Sequence, residues 1–215
     1  MRKVTSEPSL PQHLMFSMRT LRTIIERFIR WGFLPVVSVL FRLNISPNTI
    51  SVLGFSVVMF SVVLFIRGSL LAAGITFLLG SLLDVLDGEL ARTGGRVTIF
   101  GSILDSFLDR LSEGIVLISF AWYFVDRGET VGALITMLGM LSSIATSYVR
   151  ARAEAVGVSC LVGWITRPER VLIIAMGMIF GQLLLAVSTL FLLTTLTVIQ
   201  RIAHVRRVSA DLDEK

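Results

Sequence analysis

The chain is poor in the residues that build disulfides, histidine metal sites and charged surfaces. Its 215 residues include one cysteine and two histidines, and only 16% of them are Asp, Glu, Lys or Arg. The single cysteine, Cys160, excludes a disulfide within the chain. His13 and His204 lie near opposite ends of the sequence, and we expect both at the surface rather than at a shared metal ion. We find no nucleic-acid-binding motif and expect no nucleic-acid partner, so the net charge of +5 needs another explanation.

Apolar residues dominate the composition instead. Hydrophobic residues make up 54% of the chain and the mean hydropathy is +0.82, well above the usual range for a soluble domain. A bilayer core of about 30 Å needs about 20 helical residues to cross it. No linker or shift in composition divides the chain. The sequence therefore predicts one all-α, polytopic membrane domain over residues 1–215.

Six segments are predicted to cross the membrane. They lie at 49–66, from 68 through 83 into the aspartates that follow, at 100–125, at 131–149, and in the two halves of the uncharged stretch 171–200. That stretch would form about 45 Å of helix, which is too long for one span. We expect a turn between Gly181 and Gln182. The fifth helix should begin near Pro168 and the sixth should end near Val205. Alternatively, GMIFG at 177–181 is a small-residue packing face.

Residues 20–43 have a different pattern, in which arginines alternate with large apolar residues. This pattern predicts a basic amphipathic helix on the membrane surface, although a poor first span is the alternative. The predicted organisation is a cytoplasmic N-terminal segment with the surface helix at 1–43, a six-helix core at 47–205 and a cytoplasmic tail at 206–215.

The basic residues predict the orientation. Six spans place both termini on one side and leave Arg67 and Arg127 on the opposite side, with Arg110 inside a span. All seventeen of the remaining basic residues then face the side of the termini. Because basic loops stay in the cytoplasm, we expect a multi-pass protein of the cytoplasmic membrane whose termini and active site face the cytoplasm.

Four aspartates stand between apolar stretches of the chain: Asp84, Asp87, Asp105 and Asp109. An unpaired charged Asp at the centre of a spanning helix costs about 2.5–3.5 kcal/mol. The spacings i,i+3 and i,i+4 place each pair on one helix face. Clustered carboxylates need cations, and their oxygens suit Mg²⁺ or Mn²⁺. Four of them can hold two ions, which suits phosphoryl chemistry. The alternative is a solvated loop with the aspartates at its edge.

Small residues and an arginine separate the two aspartate pairs. Gly88, Ala91 and Gly101 let a bulky ligand approach the backbone, and the Arg92 guanidinium can bind phosphate. The complete pattern is Asp84-x2-Asp87-Gly88-x2-Ala91-Arg92-x8-Gly101-x3-Asp105-x3-Asp109. It resembles, without a departure, the signature of the CDP-alcohol phosphatidyltransferase family.

The resemblance implies transfer of a substituted phosphoryl group from a CDP-alcohol to a second alcohol, with release of CMP. It implies that two divalent ions bind the donor pyrophosphate and the metal ligands Asp84, Asp87, Asp105 and Asp109. Asp109 would also be the catalytic general base. The CDP-lipid donor would be held by Asn48, Gly88, Ala91, Arg92 and Gly101. The family is commonly dimeric, so a homodimer is expected in the membrane lipid.

A second polar cluster predicts the acceptor. SYVRARAEAVG at 147–157 and TRPER at 166–170 gather arginines, whose forks match phosphate oxygens. The positive-inside rule alone is the alternative explanation. The cluster resembles the branch that makes phosphatidylinositol phosphate or archaetidylinositol phosphate. That resemblance implies an inositol phosphate acceptor, bound by Ser147, Arg150, Arg152, Arg167 and Arg170, and a donor built on diacylglycerol or archaeol.

Three alternatives stay open. The acceptor could instead be glycerol 3-phosphate, serine or free inositol with the same chemistry. A divalent-cation transporter is the alternative from another class, because intramembrane aspartates also mark ion pathways. Glu113 could either support Asp109 from behind or pair with Arg110.

Overall fold

The computed structural model describes residues 46–213 apart from 94 and 96. Within these residues the chain forms six helices and no strand. The helices are α1 (Pro47–Ile66), α2 (Leu70–Thr93), α3 (Ile99–Asp126), α4 (Thr130–Ala155), α5 (Arg167–Ile179) and α6 (Leu183–Asp213). The all-α prediction is confirmed for this part of the chain. The predicted surface helix at 20–43 lies outside the described residues.

Hydroxyl side chains begin the helices that carry the site. Ser46 accepts a hydrogen bond from the Thr49 N–H at 3.2 Å and precedes a proline, so α1 starts as the SPN sequence predicts. Thr98 accepts from the Gly101 N–H at 3.0 Å and caps α3. At the start of α5, the Thr166 N–H donates to Glu169 at 2.8 Å in a capping box.

A tight turn separates α5 from α6. Gly181 has φ +67°, a left-handed conformation that glycine adopts without strain, and the predicted turn is confirmed. The alternative is also realised, because an ideal Cβ on Gly177 would lie 2.4 Å from the Ala186 Cβ. The predicted end of the sixth helix near Val205 is wrong, since α6 continues to Asp213. Arginines follow the apolar stretch. They end the hydrophobic run from which the helix end was predicted, but arginine favours the helix and does not break it.

Four helices are long and apolar enough to cross a membrane: Pro47–Ile66, Leu70–Arg92, Thr130–Ala155 and Leu183–Ala210. They make the chain a multi-pass membrane protein. Helix α3 has 28 residues but carries charged side chains in its first half, and α5 has only 13 residues. The count of six spans therefore stays a prediction.

Aromatic side chains fill the core in the half of the bundle away from the aspartates. Phe65 of α1 stacks on Phe120 of α3 with ring centroids 4.8 Å apart. Phe77 of α2 and Phe124 of α3 are almost fully buried beside them. Because this apolar half holds the bundle together, the other half can carry polar groups.

Helices α1 and α2 touch through glycines beside the first aspartate. An ideal Cβ on Gly54 would lie 2.7 Å from Asp84 Oδ1 and 3.0 Å from the Gly80 carbonyl oxygen. Small residues allow two membrane helices to approach this closely. The crossing presses the Asp84 carboxylate against the α1 backbone and thereby limits where it can point.

We expect Gly54→Ala to destabilise the protein by about 1–3 kcal/mol, because the added methyl group overpacks this crossing. Thermal unfolding in detergent measures the change. Gly114→Ala is the matched control, since no heavy atom lies within 4 Å of its ideal Cβ apart from its chain neighbours and its own helix backbone. Alanine there should be neutral or stabilising by up to about 1 kcal/mol. Equal melting temperatures for Gly54→Ala and the unmodified protein would contradict the close approach.

Candidate active site

The end of α2 and the start of α3 bring the aspartate pairs together at one end of the bundle. Asp84 and Asp87 lie in the last turns of α2, and Asp105 and Asp109 lie in the first turns of α3. Asp105 is near enough to interact electrostatically with both α2 aspartates. The predicted meeting of the two pairs is therefore present in the fold. The hypothesis of four aspartates on a solvated loop is wrong, since all four lie in helices and none of them is exposed.

Helix α1 supplies a partner for the second aspartate. The Ser51 hydroxyl donates a hydrogen bond to Asp87 Oδ2, and both residues are buried. Sequence analysis missed Ser51. It lies three residues after Asn48, on the same face of α1, and this spacing is the signal that could have found it. The Ser51 hydroxyl therefore holds one carboxylate oxygen of Asp87 in place, and the other oxygen is left to contact other groups in the site.

Arg167 supplies a positive charge between two of the carboxylates. Its Nη2 lies 2.5 Å from Asp84 Oδ2 and 2.6 Å from Asp109 Oδ1. The contact with Asp84 is a hydrogen bond, whereas the contact with Asp109 is an ion pair by distance only, since Asp109 Oδ1 receives no hydrogen bond. One arginine of α5 thus joins aspartates of α2 and α3.

The carboxylates fit a hard divalent cation by their chemistry. They offer oxygen donors only, and Asp109 Oδ1 is buried without a hydrogen-bond donor. Across residues 46–213, 94 and 96 excepted, no three His, Cys, Asp or Glu side chains are arranged as a metal site. Binding an ion would therefore require small rearrangements of side chains such as Arg167.

A cavity of about 160 Å³ opens beside the aspartates. Asp87 and Asp105 form its acidic wall. The predicted donor residues all line it, as do several residues that sequence analysis missed. The predicted set is Asn48, Gly88, Ala91, Arg92 and Gly101, and the additional polar residues are Ser51, Thr98 and Ser102.

Two glycines keep this cavity open. An ideal Cβ on Gly101 would lie 3.0 Å from Asn48 Oδ1, and one on Gly88 would lie 3.5 Å from the Arg92 guanidinium. Arg92 pairs with Glu89 at 3.0 Å and its side chain is 59% exposed. The exposed guanidinium can therefore reach an anionic ligand in the cavity, although its partner Glu89 is buried.

The predicted acceptor residues fall in different environments. Arg150 is exposed and pairs with Glu154 at 2.8 Å. Arg152 is exposed and Ser147 is half-buried on the same helix, α4. Arg170 is 5% exposed. Of the predicted arginines, the structure places Arg167 directly against the aspartates.

Glu113 has a different partner from both of those expected. Its carboxylate pairs with Arg170 of α5 at 2.9 Å and accepts a hydrogen bond from Ser143 of α4. Arg110 instead donates to the Ser106 carbonyl. The expected pair with Arg110 is therefore wrong, because the rotation of α3 turns Glu113 toward α5, while a supporting role of Glu113 behind Asp109 stays a prediction.

Arg201 is a second buried arginine that sequence analysis missed. It is 4% exposed, and it donates to the Thr146 carbonyl and, at 3.0 Å, to the Val162 carbonyl. It ties α6 to the segment between α4 and α5. Cys160 lies in that segment, where burial raises the pKa of its thiol and outweighs the nearby Arg201 charge. The thiol is therefore protonated at neutral pH and is a poor nucleophile.

Comparison with known proteins agrees with this geometry. The family model described as CDP-alcohol phosphatidyltransferase matches residues 44–203. The chain belongs to the CDP-alcohol phosphatidyltransferase family. The predictions of this family and of an enzyme are confirmed, and family membership argues against the transporter.

Two synthases are similar to this chain over most of its length. It is 36% identical to the archaetidylinositol phosphate synthase of Methanothermobacter thermautotrophicus over 190 residues, which cover 86% of this chain and 91% of that protein. It resembles the crystal structure of Mycobacterium tuberculosis phosphatidylinositol phosphate synthase with CDP-DAG bound. That likeness has a TM-score of 0.74 and 30% identity, and it covers 80% of this chain and 92% of the other.

A second structure of the Mycobacterium tuberculosis enzyme contains manganese and citrate. It matches this phosphatidyltransferase with a TM-score of 0.72 and 31% identity, over 80% of this chain and 87% of that one. A related protein of the same fold therefore binds a divalent ion.

Proposed function

We propose that the protein transfers a phosphatidyl-type group from a CDP-linked lipid to a hydroxyl of inositol phosphate and releases CMP. The observation that carries this proposal is the meeting of the four signature aspartates with the donor cavity and Arg167 at one end of the bundle. The names of the relatives support inositol phosphate as the acceptor. The lipid is CDP-diacylglycerol or CDP-archaeol.

In this mechanism Asp109 is the general base. It accepts the proton of the acceptor hydroxyl while the hydroxyl oxygen forms a bond to the β-phosphorus of the donor. The bond between that phosphorus and the bridging oxygen breaks, and the electrons leave with CMP. Arg167, which lies against Asp84 and Asp109, supplies positive charge where a phosphorylated acceptor would enter.

Divalent ions would be held by Asp84, Asp87, Asp105 and Asp109. When bound, they supply positive charge to the donor pyrophosphate and to the departing phosphate. The manganese in the related structure supports the use of a divalent ion. We propose two ions, either Mg²⁺ or Mn²⁺.

The remaining predictions complete the proposal. The donor would contact Asn48, Gly88, Ala91, Arg92 and Gly101 in the cavity. The acceptor phosphate would meet Ser147, Arg150, Arg152, Arg167 and Arg170. Arg170 would act through its Nη1 side, because Glu113 holds Nε and Nη2.

The proposed enzyme is a single domain with six transmembrane helices and an N-terminal surface helix. Its termini and active site face the cytoplasm, and it forms a homodimer in the cytoplasmic membrane. The tight turn at Gly181 supports six spans rather than five, because it separates the uncharged stretch into two helices.

We expect the purified enzyme to release CMP from a CDP-linked lipid when inositol phosphate is added with Mg²⁺. Radiolabelled inositol phosphate should then enter the lipid fraction. The same assay with glycerol 3-phosphate, serine and free inositol tests the other acceptors, and CDP-diacylglycerol and CDP-archaeol test the donor. Faster labelling from any of those three acceptors would reject inositol phosphate and keep the chemistry.

A further inference from the structure

A buried ion pair lies one helical turn beyond the contact between Arg167 and Asp109. Glu113 follows Asp109 by four residues on α3, and Arg170 follows Arg167 by three residues on α5. Residues at these spacings share a helix face. The two arginines of α5 therefore meet two carboxylates of α3 as successive contacts along the same pair of helices.

The contact between Arg170 and Glu113 has more hydrogen bonds than the contact between Arg167 and Asp109. Arg170 Nε donates to Glu113 Oε1 at 2.9 Å and Arg170 Nη2 donates to Oε2 at 2.9 Å. The two side chains are 6% and 9% exposed. A fork of two parallel hydrogen bonds fixes orientation as well as distance. The ion pair thus fixes both the rotation of α5 about its axis and its position along α3.

Helix α4 holds the same pair from a third side. The Ser143 hydroxyl donates to Glu113 Oε1, and Arg170 Nη1 lies 3.5 Å from Thr146 Oγ1. Three helices therefore meet at one carboxylate and one guanidinium. An apolar pair of similar volume would often stabilise such a position equally well. We therefore expect this ion pair to orient the helices rather than to add stability.

We propose that Glu113 is a positioning residue for the transfer reaction. Through Arg170 and Ser143 it fixes the start of α5, and this places Arg167 against Asp84 and Asp109, where the acceptor phosphate binds. The proposal rests on the proposed function for the identity of the acceptor. It assigns Glu113 no contact with substrate.

A double-mutant cycle between Glu113 and Arg167 tests this role. The structure, which describes both residues, shows no hydrogen bond or ion pair between them. Glu113→Gln should raise the acceptor KM by about 10- to 100-fold, as displacement of a supporting contact does elsewhere. The donor KM should stay unchanged. In the Arg167→Gln background, Glu113→Gln should change the acceptor KM several-fold less than in the unmodified enzyme, since Arg167 is then no longer there to be placed and only the proposed contact of Arg170 with the acceptor can still change.

Two further variants separate positioning from general stability. Glu113→Asp keeps the charge, so its acceptor KM should lie between those of the unmodified enzyme and Glu113→Gln. Glu129→Gln is the matched control, because Glu129 is exposed at the start of α4 at the other end of the bundle, and its kinetics should equal those of the unmodified enzyme. The proposal is overturned if the effects of Glu113→Gln and Arg167→Gln multiply, as those of independent sites do within about twofold. It is also overturned if Glu113→Gln lowers kcat and the melting temperature with both KM values unchanged.

Failure of the proposed function gives a different result. If the unmodified enzyme uses another acceptor, that acceptor replaces inositol phosphate in the cycle and the same criteria apply. If no tested acceptor leads to release of CMP, the proposed function is rejected, and the double-mutant cycle is measured by thermal unfolding instead. Non-additive melting shifts for Glu113→Gln and Arg167→Gln then support the positioning role, and additive shifts overturn it.

Discussion

Asp105→Asn should reduce CMP release at least about 1000-fold, with loss of Mn²⁺ binding in the same variant. Asp105 lines the cavity together with Asp87, and within the described residues it makes no ion pair or hydrogen bond. The amide keeps the shape of the side chain and removes its charge. Loss of metal-ion stabilisation of the transition state is worth several kcal/mol, and each 1.36 kcal/mol is a factor of ten in rate.

Asp126→Asn is the control for this experiment. Asp126 ends the same helix at the opposite end of the bundle and is exposed, so its turnover should match that of the unmodified enzyme. Manganese binding is measured by electron paramagnetic resonance, and CMP release is measured with and without EDTA. Full CMP release in excess EDTA, or normal Mn²⁺ binding by Asp105→Asn, would reject the proposed metal site.

Asp109→Asn should slow the chemical step by about 10²- to 10⁴-fold, the usual contribution of a general base. CDP-lipid binding should be retained. Asp109 lies one helical turn beyond Asp105 and 2.6 Å from Arg167, on the side from which we expect the acceptor. Asparagine keeps the shape of the side chain but cannot take up the proton.

Comparison with Asp105→Asn decides whether Asp109 acts as base or only as ligand. Donor affinity and single-turnover rate are measured for both variants under the same conditions. A base predicts normal donor affinity with slow chemistry in Asp109→Asn alone. If donor affinity and rate fall together in both variants, Asp109 is only a ligand and the base lies elsewhere.

Local patterns in the sequence predicted much of this molecule. Ser46 and Pro47 marked the start of α1, and the spacing of the aspartates predicted shared helix faces, because both signals act over a few residues. The partner of Glu113 could not be found in this way. Arg170 lies 57 residues away, and its approach depends on how α3 and α5 are rotated in the bundle. Arg201 was missed for the same reason, since its acceptors are backbone carbonyls that any sequence would offer.

If α5 crosses the membrane as we propose, its shortness determines how deep the site lies in the bilayer. Its 13 residues span about 20 Å, about 10 Å less than the hydrocarbon thickness. The 26 residues of α4 and the 31 of α6 overrun that thickness. Because the turn at Gly181 would then lie at the far membrane surface, the shortfall would fall on the side of Arg167. The longer helices would form a raised rim, and the proposed reaction would take place in a recess below the headgroup plane. A lipid donor can reach this recess while its acyl chains remain in the membrane.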